Sequence, residues 1–437
     1  MRTYSRIIIC SGCFVLSVIS WIIVLNSTTT AEKQLLLINR ATAFMDDGIY
    51  IRAAALLEEA AGYDAMHNST AETELKKAYL ALIDKRGFSR KYISLLEKQM
   101  DRKNAEPYIF IEAADYYINA SKTHEALAVL KDGVNKTGDE DIIALYEKTR
   151  YAFEISRASY DDVTMIFNQT VQVKLDGKWG IASSDGIVII PCKYEKISTF
   201  YSDRAIVSKN GQIFAIDRDD NRIAVTGDGM FDFGNYADNR VPILINSKWH
   251  RATGEFDVGP SSFDDFGMYS NSFAAAKIDG KWGVIGLSDK WLIPAIYDEV
   301  IMDELGRCYA QGAVFVRDGD YVYLIKDGEL TGDIYQDAHP FGNEGYAAVK
   351  LNGKWGFIDN DGLEAIPFVF EEAFSFEQHL AAVRLGDLWG YINISGQIVI
   401  EMEFHSAKTF SGGRAPVLTD RGWQFITLIE YKKGISL

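Results

Sequence analysis

The sequence predicts an α plus all-β chain in three parts: an N-terminal membrane anchor or signal segment (1–30), a helical domain (31–160) and a β-repeat domain (161–437). Three observations carry this reading. A Gly-Lys-Trp-Gly string recurs at Gly177-Lys178-Trp179-Gly180, Gly280-Lys281-Trp282-Gly283 and Gly353-Lys354-Trp355-Gly356, and recurrence at a fixed period marks a repeat architecture. An uncharged run extends from Ile7 to Leu25 behind Arg2 and Arg6. Between them, from Ala31 to about Ser159, apolar residues return at intervals of three and four, the period of an amphipathic helix.

The N-terminal run is nineteen residues long. At about 1.5 Å per residue it spans roughly 28 Å, close to the hydrocarbon thickness of a bilayer. Positive charge ahead of it predicts a single-pass anchor with the bulk of the chain outside the cytoplasm. The alternative is a secreted protein released by signal cleavage near Thr29-Thr30-Ala31.

The helical segment predicts about seven helices, at 31–46, 49–62, 69–85, 88–103, 106–120, 122–136 and 139–158. Asp47-Gly48, Arg86-Gly87 and Ser121-Lys122 mark the turns. A similar phrase follows each turn: Tyr50-x-x-Ala53-x-x-Leu56-Leu57, Tyr92-x-x-Leu95-Leu96 and Ala126-Leu127-x-x-Leu130. Alternation of small and large residues in helical pairs resembles degenerate tetratricopeptide (TPR-like) hairpins. Such pairs form either a small peptide groove or a spacer.

In the repeat domain, a register anchored on the Asn-Gly or Asp-Gly turn fills the Trp slot with Trp179, Ile213, Trp249, Trp282, Tyr321, Trp355, Trp389 and Trp423. The intervals are 34, 36, 33, 39, 34, 34 and 34. Each unit reads as four antiparallel strands. In one unit these are Phe370–Phe376, Leu380–Arg384, a Trp-Gly strand such as Trp355–Asp359, and a strand such as Leu363–Ile366 stopped by Pro367. Asn352-Gly353 between strands supplies the positive φ of a type I′ hairpin. Pro191, Pro294 and Pro367 predict a short or edge fourth strand. Aromatics six apart, as in Phe370/Phe376 and Tyr194/Phe200, lie on one face of the first strand. Gly180, Gly283, Gly356 and Gly390 after the Trp predict close backbone approach. A four-stranded unit cannot bury its own faces, so about eight of them stack. Radial closure into a β-propeller is favoured, and an open β-solenoid is the alternative.

These Trp-Gly motifs with their downstream Ile-Pro resemble the WG-repeat (KWG) proteins of bacteria. The resemblance implies a β-repeat binding platform with no defined catalytic residues and no settled ligand. His250, Ile213 and Tyr321 depart from the motif.

Chemistry-bearing constellations are sparse. The six histidines show no metal-ligand spacing, and His339 and His379 fall in similar regions of two repeats. Asp217-Arg218-Asp219-Asp220-Asn221 begins like a calcium loop, but Arg222 stands where Gly is needed and Asp228 where Glu is needed, so a hairpin turn explains it. The four cysteines form no framework. A net charge of −16 argues against nucleic acid. Trp291 stands in a fourth strand where Val or Ile is usual, a candidate exposed ring. The expectation is therefore a membrane-anchored, extracytoplasmic binding or scaffold protein without enzymatic role or cofactor. It recognises a protein or peptide, with cell-wall polysaccharide binding as the first alternative and a hydrolase of the cell envelope as the second.

Overall fold

The computed structural model describes residues 29–63, 65–225 and 229–431. The chain divides into two compact units, Met1–Tyr146 and Glu147–Leu437. The predicted span at 7–25 lies outside the described residues, among which no helix is long and apolar enough to cross a membrane.

Seven helices form the N-terminal segment among the described residues: α1 (29–46), α2 (Tyr50–Ala61), α3 (Asn68–Ala81), α4 (Phe88–Met100), α5 (Pro107–Asn119), α6 (Thr123–Thr137) and α7 (Glu140–Thr149). Successive helices pack against each other from α2 to α6. Small residues at the contacts (Ala53, Ala71, Ala78, Ala113, Ala126) are fully buried and let the axes approach. A Cβ at Gly133 would lie 2.9 Å from the Phe110 ring, so α5 and α6 meet there without a side chain between them. The predicted last helix, 139–158, is corrected: α7 ends at Thr149, and Phe153–Ile155 is a strand.

That strand closes a ring. The second unit holds eight four-stranded antiparallel sheets among the described residues. Seven are built from consecutive strands. Blade 1, for example, runs Asp162–Val163 (inner), Thr170–Leu175, Lys178–Ser183 and Val188–Tyr194 (outer). Blade 8 takes its inner three strands from the C-terminus and its outer strand from Phe153–Ile155, paired in register Phe153↔Leu428, Glu154↔Thr427, Ile155↔Ile426. Blades 8 and 1 also share a core in which Tyr160 packs edge-on against Phe425 at 6.1 Å and donates to Gly186 O at 2.8 Å. The repeats form a closed eight-bladed β-propeller, and the solenoid alternative is set aside.

Three features of the repeat acquire a physical reason. First, the aromatics six apart do not share a strand. Phe370 ends one blade's outer strand and Phe376 follows the next blade's inner strand, yet both are buried in one interblade cluster. Second, the outer strand is an edge but not short. It runs seven residues through its Pro, because the register slips there: Trp179↔Tyr194, then Ile181↔Ile190. The bulged segment folds back over the glycine after the Trp. A Cβ at Gly180 would lie 2.8 Å from Cys192 N, and one at Gly283 2.7 Å from Ala295 N. Where Gln424 replaces that glycine, in blade 8, the outer strand pairs without a slip.

Third, the motif lysine clasps adjacent blades. Lys281 pairs at 2.6 Å with Asp298, which also accepts the Gly319 N–H of the next blade's hairpin at 2.8 Å. Lys354–Glu371–Gly386 repeats this at 2.9 and 3.2 Å, and Lys248–Asp264–Gly280 has the same arrangement. Each exposed pair contributes under about 1 kcal/mol, but the acid fixes the hairpin of the next blade.

One sequence register is corrected. In blade 5 the hairpin turn is Gly319-Asp320, not Asp318-Gly319: Asp318 pairs with Tyr321 and Arg317 with Val322. Val322, fully buried, therefore fills the Trp slot, and Tyr321 is 54% exposed. A slip of one residue exchanges the two faces of a strand.

Candidate functional site

The inner strands surround an axial channel, and the residue leaving each inner strand points the chain toward its next turn. These eight positions are Thr164, Ser198, Gly234, Gly267, Ile301, His339, Phe374 and Lys408, equivalent because each donates its N–H to the second strand of its own blade. In most blades a tight two-residue turn follows, with positive φ at both positions, as at Asn168-Gln169 and Asp238-Asn239.

Blade 5 differs. Its connection from inner to second strand runs from Ile301 to Gly312, about twice the length found in blade 7. The extra residues account for the long interval, which is 40 residues from Trp282 to Val322 in the corrected register. The inserted loop bonds to four other blades. Glu304 accepts the Met165 N–H of blade 1 and pairs with Lys408 of blade 8. Leu305 O accepts from Asn235 Nδ2 of blade 3 at 3.0 Å, and Gly306 O accepts from Met268 N of blade 4 at 2.9 Å. Leu305 is buried against Ala237 and Met268. The loop is a plug across the axis.

On the side of the two-residue turns the plug leaves a cavity of about 300 Å³ to which all eight blades contribute. Its rings include Phe167, Tyr201, Tyr309 and Phe374, and its polar groups include Asn271, Asn343, Asp303, Arg307 and Glu377. Arg307 Nε lies 2.6 Å from Asp303 Oδ2, and its guanidinium stands 5.9 Å from the Phe167 ring. Asp303 also caps the loop, accepting from Leu305 N and Arg307 N at 2.9 and 3.0 Å. Asp303 balances the one arginine of the cavity. Glu377 has instead an amide, Asn343 Nδ2 at 2.6 Å, and burial pushes its carboxyl up to about 7, with Arg307 opposing and Glu344 adding to the rise. His339 is stacked on Trp355 (5.0 Å) and tilted against Phe374 (4.9 Å), and burial lowers its pKa, which favours the neutral ring.

The repeat positions found from sequence serve the blades. Trp282, Trp355 and Trp389 are buried, and Trp179, Trp249 and Trp423 are half-buried. Trp291 is 39% exposed on its outer strand, packed edge-on against Phe263. His339 and His379 are not equivalent: His379 is in the turn before the second strand of blade 7, exposed, while His339 lies in the channel. Asp217 turns the blade 2 hairpin, accepting from Asp219 N and Asn221 N, and Asp228 lies outside the described residues. Asp303, Arg307 and Glu377 escaped the sequence reading. The one signal pointing to the first two was the long interval between the Trp slots of blades 4 and 5. Among the described residues no three of His, Cys, Asp and Glu converge to hold a metal.

Solved structures similar to the chain include KlHsv2 with loop 6CD replaced by a Gly-Ser linker (9% identity, 62% of this chain and 96% of that chain, TM-score 0.37). Another is a eukaryotic initiation factor (10% identity, 60% and 82%, TM-score 0.38). No curated protein matches the chain in sequence. Six stretches, residues 179–212, 260–282, 282–304, 334–355, 355–389 and 389–423, match the family described as WG containing repeat.

Proposed function

We propose that the protein is a membrane-anchored, extracytoplasmic binding protein without catalytic role, whose propeller takes a protein or peptide partner at the channel mouth. The observation that supports this is the mouth itself. Rigid rings (Phe167, Tyr201, Tyr309, Phe374) are interleaved with the amides of Asn271 and Asn343 and the carboxylates of Asp303 and Glu377. Rings supply contact area at low entropic cost and amides supply adaptable hydrogen bonds, the composition of a protein-binding surface. On this reading the helical segment is a set of TPR-like hairpins that adds contacts or spacing, and the N-terminal run is the anchor.

A peptide library displayed on phage and selected on the full chain tests the mouth. The expected outcome is a family of related peptides that bind about tenfold more weakly to a Tyr201→Ala, Glu377→Ala variant. Selected peptides indifferent to both substitutions, or none selected at all, would overturn the reading. Protease shaving of intact cells tests the topology, and a propeller protected from added protease refutes it.

A further inference from the structure

Two cavities border the plug, and their charges are balanced differently. The larger, of about 610 Å³, is bounded by Trp179, Pro242, Phe266 and residues Met302–Gly306 of the plug. Each charge on its wall has an ionic partner. Glu195 faces Lys178 at 3.8 Å, Lys196 faces Asp232 at 2.6 Å, Asp303 faces Arg307, and Glu304 faces Lys408. The cavity at the mouth is not balanced. Its wall carries three carboxylates, Asp238, Asp303 and Glu377, against one guanidinium, that of Arg307. Asp303 takes Arg307 for itself at 2.6 Å. Among the described residues the other two acids hold only neutral donors: Asp238 Oδ2 accepts the Ser272 N–H at 2.9 Å, and Glu377 Oε2 accepts Asn343 Nδ2 at 2.6 Å. They belong to the turns of blades 3 and 7. Four blades apart in a ring of eight, they make the mouth negative across its width rather than at one edge.

The shortfall of positive charge is greatest at Glu377. Glu344 adds a like charge beside it, and burial and Glu344 together outweigh the opposing pull of Arg307, so the Glu377 carboxyl rises to about 7. A buried carboxylate without a counter-ion is costly, and a cation that reaches it recovers part of that cost. The rings of the wall suit the same guest, because the face of an aromatic ring attracts a cation. The resident cation already uses one: the Arg307 guanidinium stands 5.9 Å from the Phe167 ring. Tyr201 and Tyr309 line the same cavity. An anionic guest would meet an excess of carboxylates, and a neutral one would leave Glu377 without a counter-ion.

We propose that the mouth cavity takes a basic side chain of the peptide partner, a lysine or an arginine whose charge is received by Glu377 among the rings of the wall. This names the anchor of the peptide reading above and rests on that reading. The test uses hexapeptide pools, acetylated and amidated so that no terminus supplies the charge, each with one residue fixed at one position. They are titrated onto the full chain by fluorescence anisotropy at pH 8, where Glu377 is mostly ionised. Pools fixed as Lys or Arg at one position are expected to bind at least tenfold more tightly than the pool fixed there as norleucine. Glu377→Gln, which keeps the shape and removes the charge, is expected to abolish that preference. Asp238→Asn is expected to weaken it about threefold through the lost attraction across the mouth, and serves alone if Glu377→Gln does not fold. Glu401→Gln, an exposed acid on the outer strand of blade 7, is expected to leave it unchanged. A preference that survives Glu377→Gln, or that falls as far in Glu401→Gln, overturns the proposal in favour of attraction by the net charge of the chain. Pools that bind equally with Lys, Arg or norleucine, or best with Asp or Glu, overturn it and leave the peptide reading standing. Failure of every pool to bind overturns both.

Discussion

In blades 5 to 8 the residue leaving the inner strand is large: Ile301, His339, Phe374 and Lys408. In blades 1 to 4 it is small: Thr164, Ser198, Gly234 and Gly267. An eight-bladed ring leaves an axial space that must be filled or wetted. One half of this ring fills its share with its own side chains, in ring contact from Trp355 through His339 and Phe374 to Trp389. The other half makes room for a borrowed backbone, the plug from blade 5. Near-identical blades can thus diverge at a single position and turn a structural axis into two unlike cavities.

The sharpest way to break this contrast is at Gly267. A Cβ there would lie 2.7 Å from Gly306 O and 2.8 Å from Met302 Sδ. Gly267→Val is expected to lift the plug and to cost about 3 kcal/mol, the range for overpacking a well-filled site, read as a shift of the urea midpoint. An unchanged midpoint would mean the plug is not seated against blade 4.

A second comparison sets the plug against the side-chain fillers. Leu305 is 3% exposed, and Leu305→Ala is expected to cost about 2–3 kcal/mol through lost burial and the void it leaves. Phe374→Leu keeps much of its volume and is expected to cost about 1 kcal/mol. If the two cost the same, the two halves fill the axis equally tightly and the contrast fails.

A third comparison turns on pH. The Glu377 carboxyl is raised from 4.5 to about 7, mainly by burial. The folded state therefore holds a proton between these values that the unfolded chain has released. Stability from this group is present in full below pH 4.5, falls as pH rises to 7, and is flat beyond. Glu377→Gln is expected to match the parent at pH 4 and to exceed it by about 1–3 kcal/mol at pH 8. A gain equal at both pH values would assign the effect to packing rather than to charge.

The blade pattern was open to reading because its determinants are local. Asp176-Gly177, Asp279-Gly280 and Asn352-Gly353 adopt positive φ at both positions, a demand written into those residue types. The same rule misled at Asp318-Gly319, where a second Gly-Asp turn one residue later moved Val322 into the core and Tyr321 out. Phe153–Ile155 has neighbours with a helical period, whereas its strand partner, Ile426–Leu428, lies far along the chain. The channel residues were harder still. Arg307 and Glu377 sit in different blades, and no spacing relates them.

Residue order alone establishes that the C-terminal two thirds is a series of like β units, roughly how many, and where most hairpins turn, since side-chain alternation and turn chemistry act over a few residues. Tertiary structure alone decided that a strand ahead of the repeats closes the last blade, that the extra residues of blade 5 cross the axis, and that Asp238 and Glu377 come to share one cavity. Those outcomes depend on which surfaces face one another once the ring has closed, and that is a property of all eight blades together.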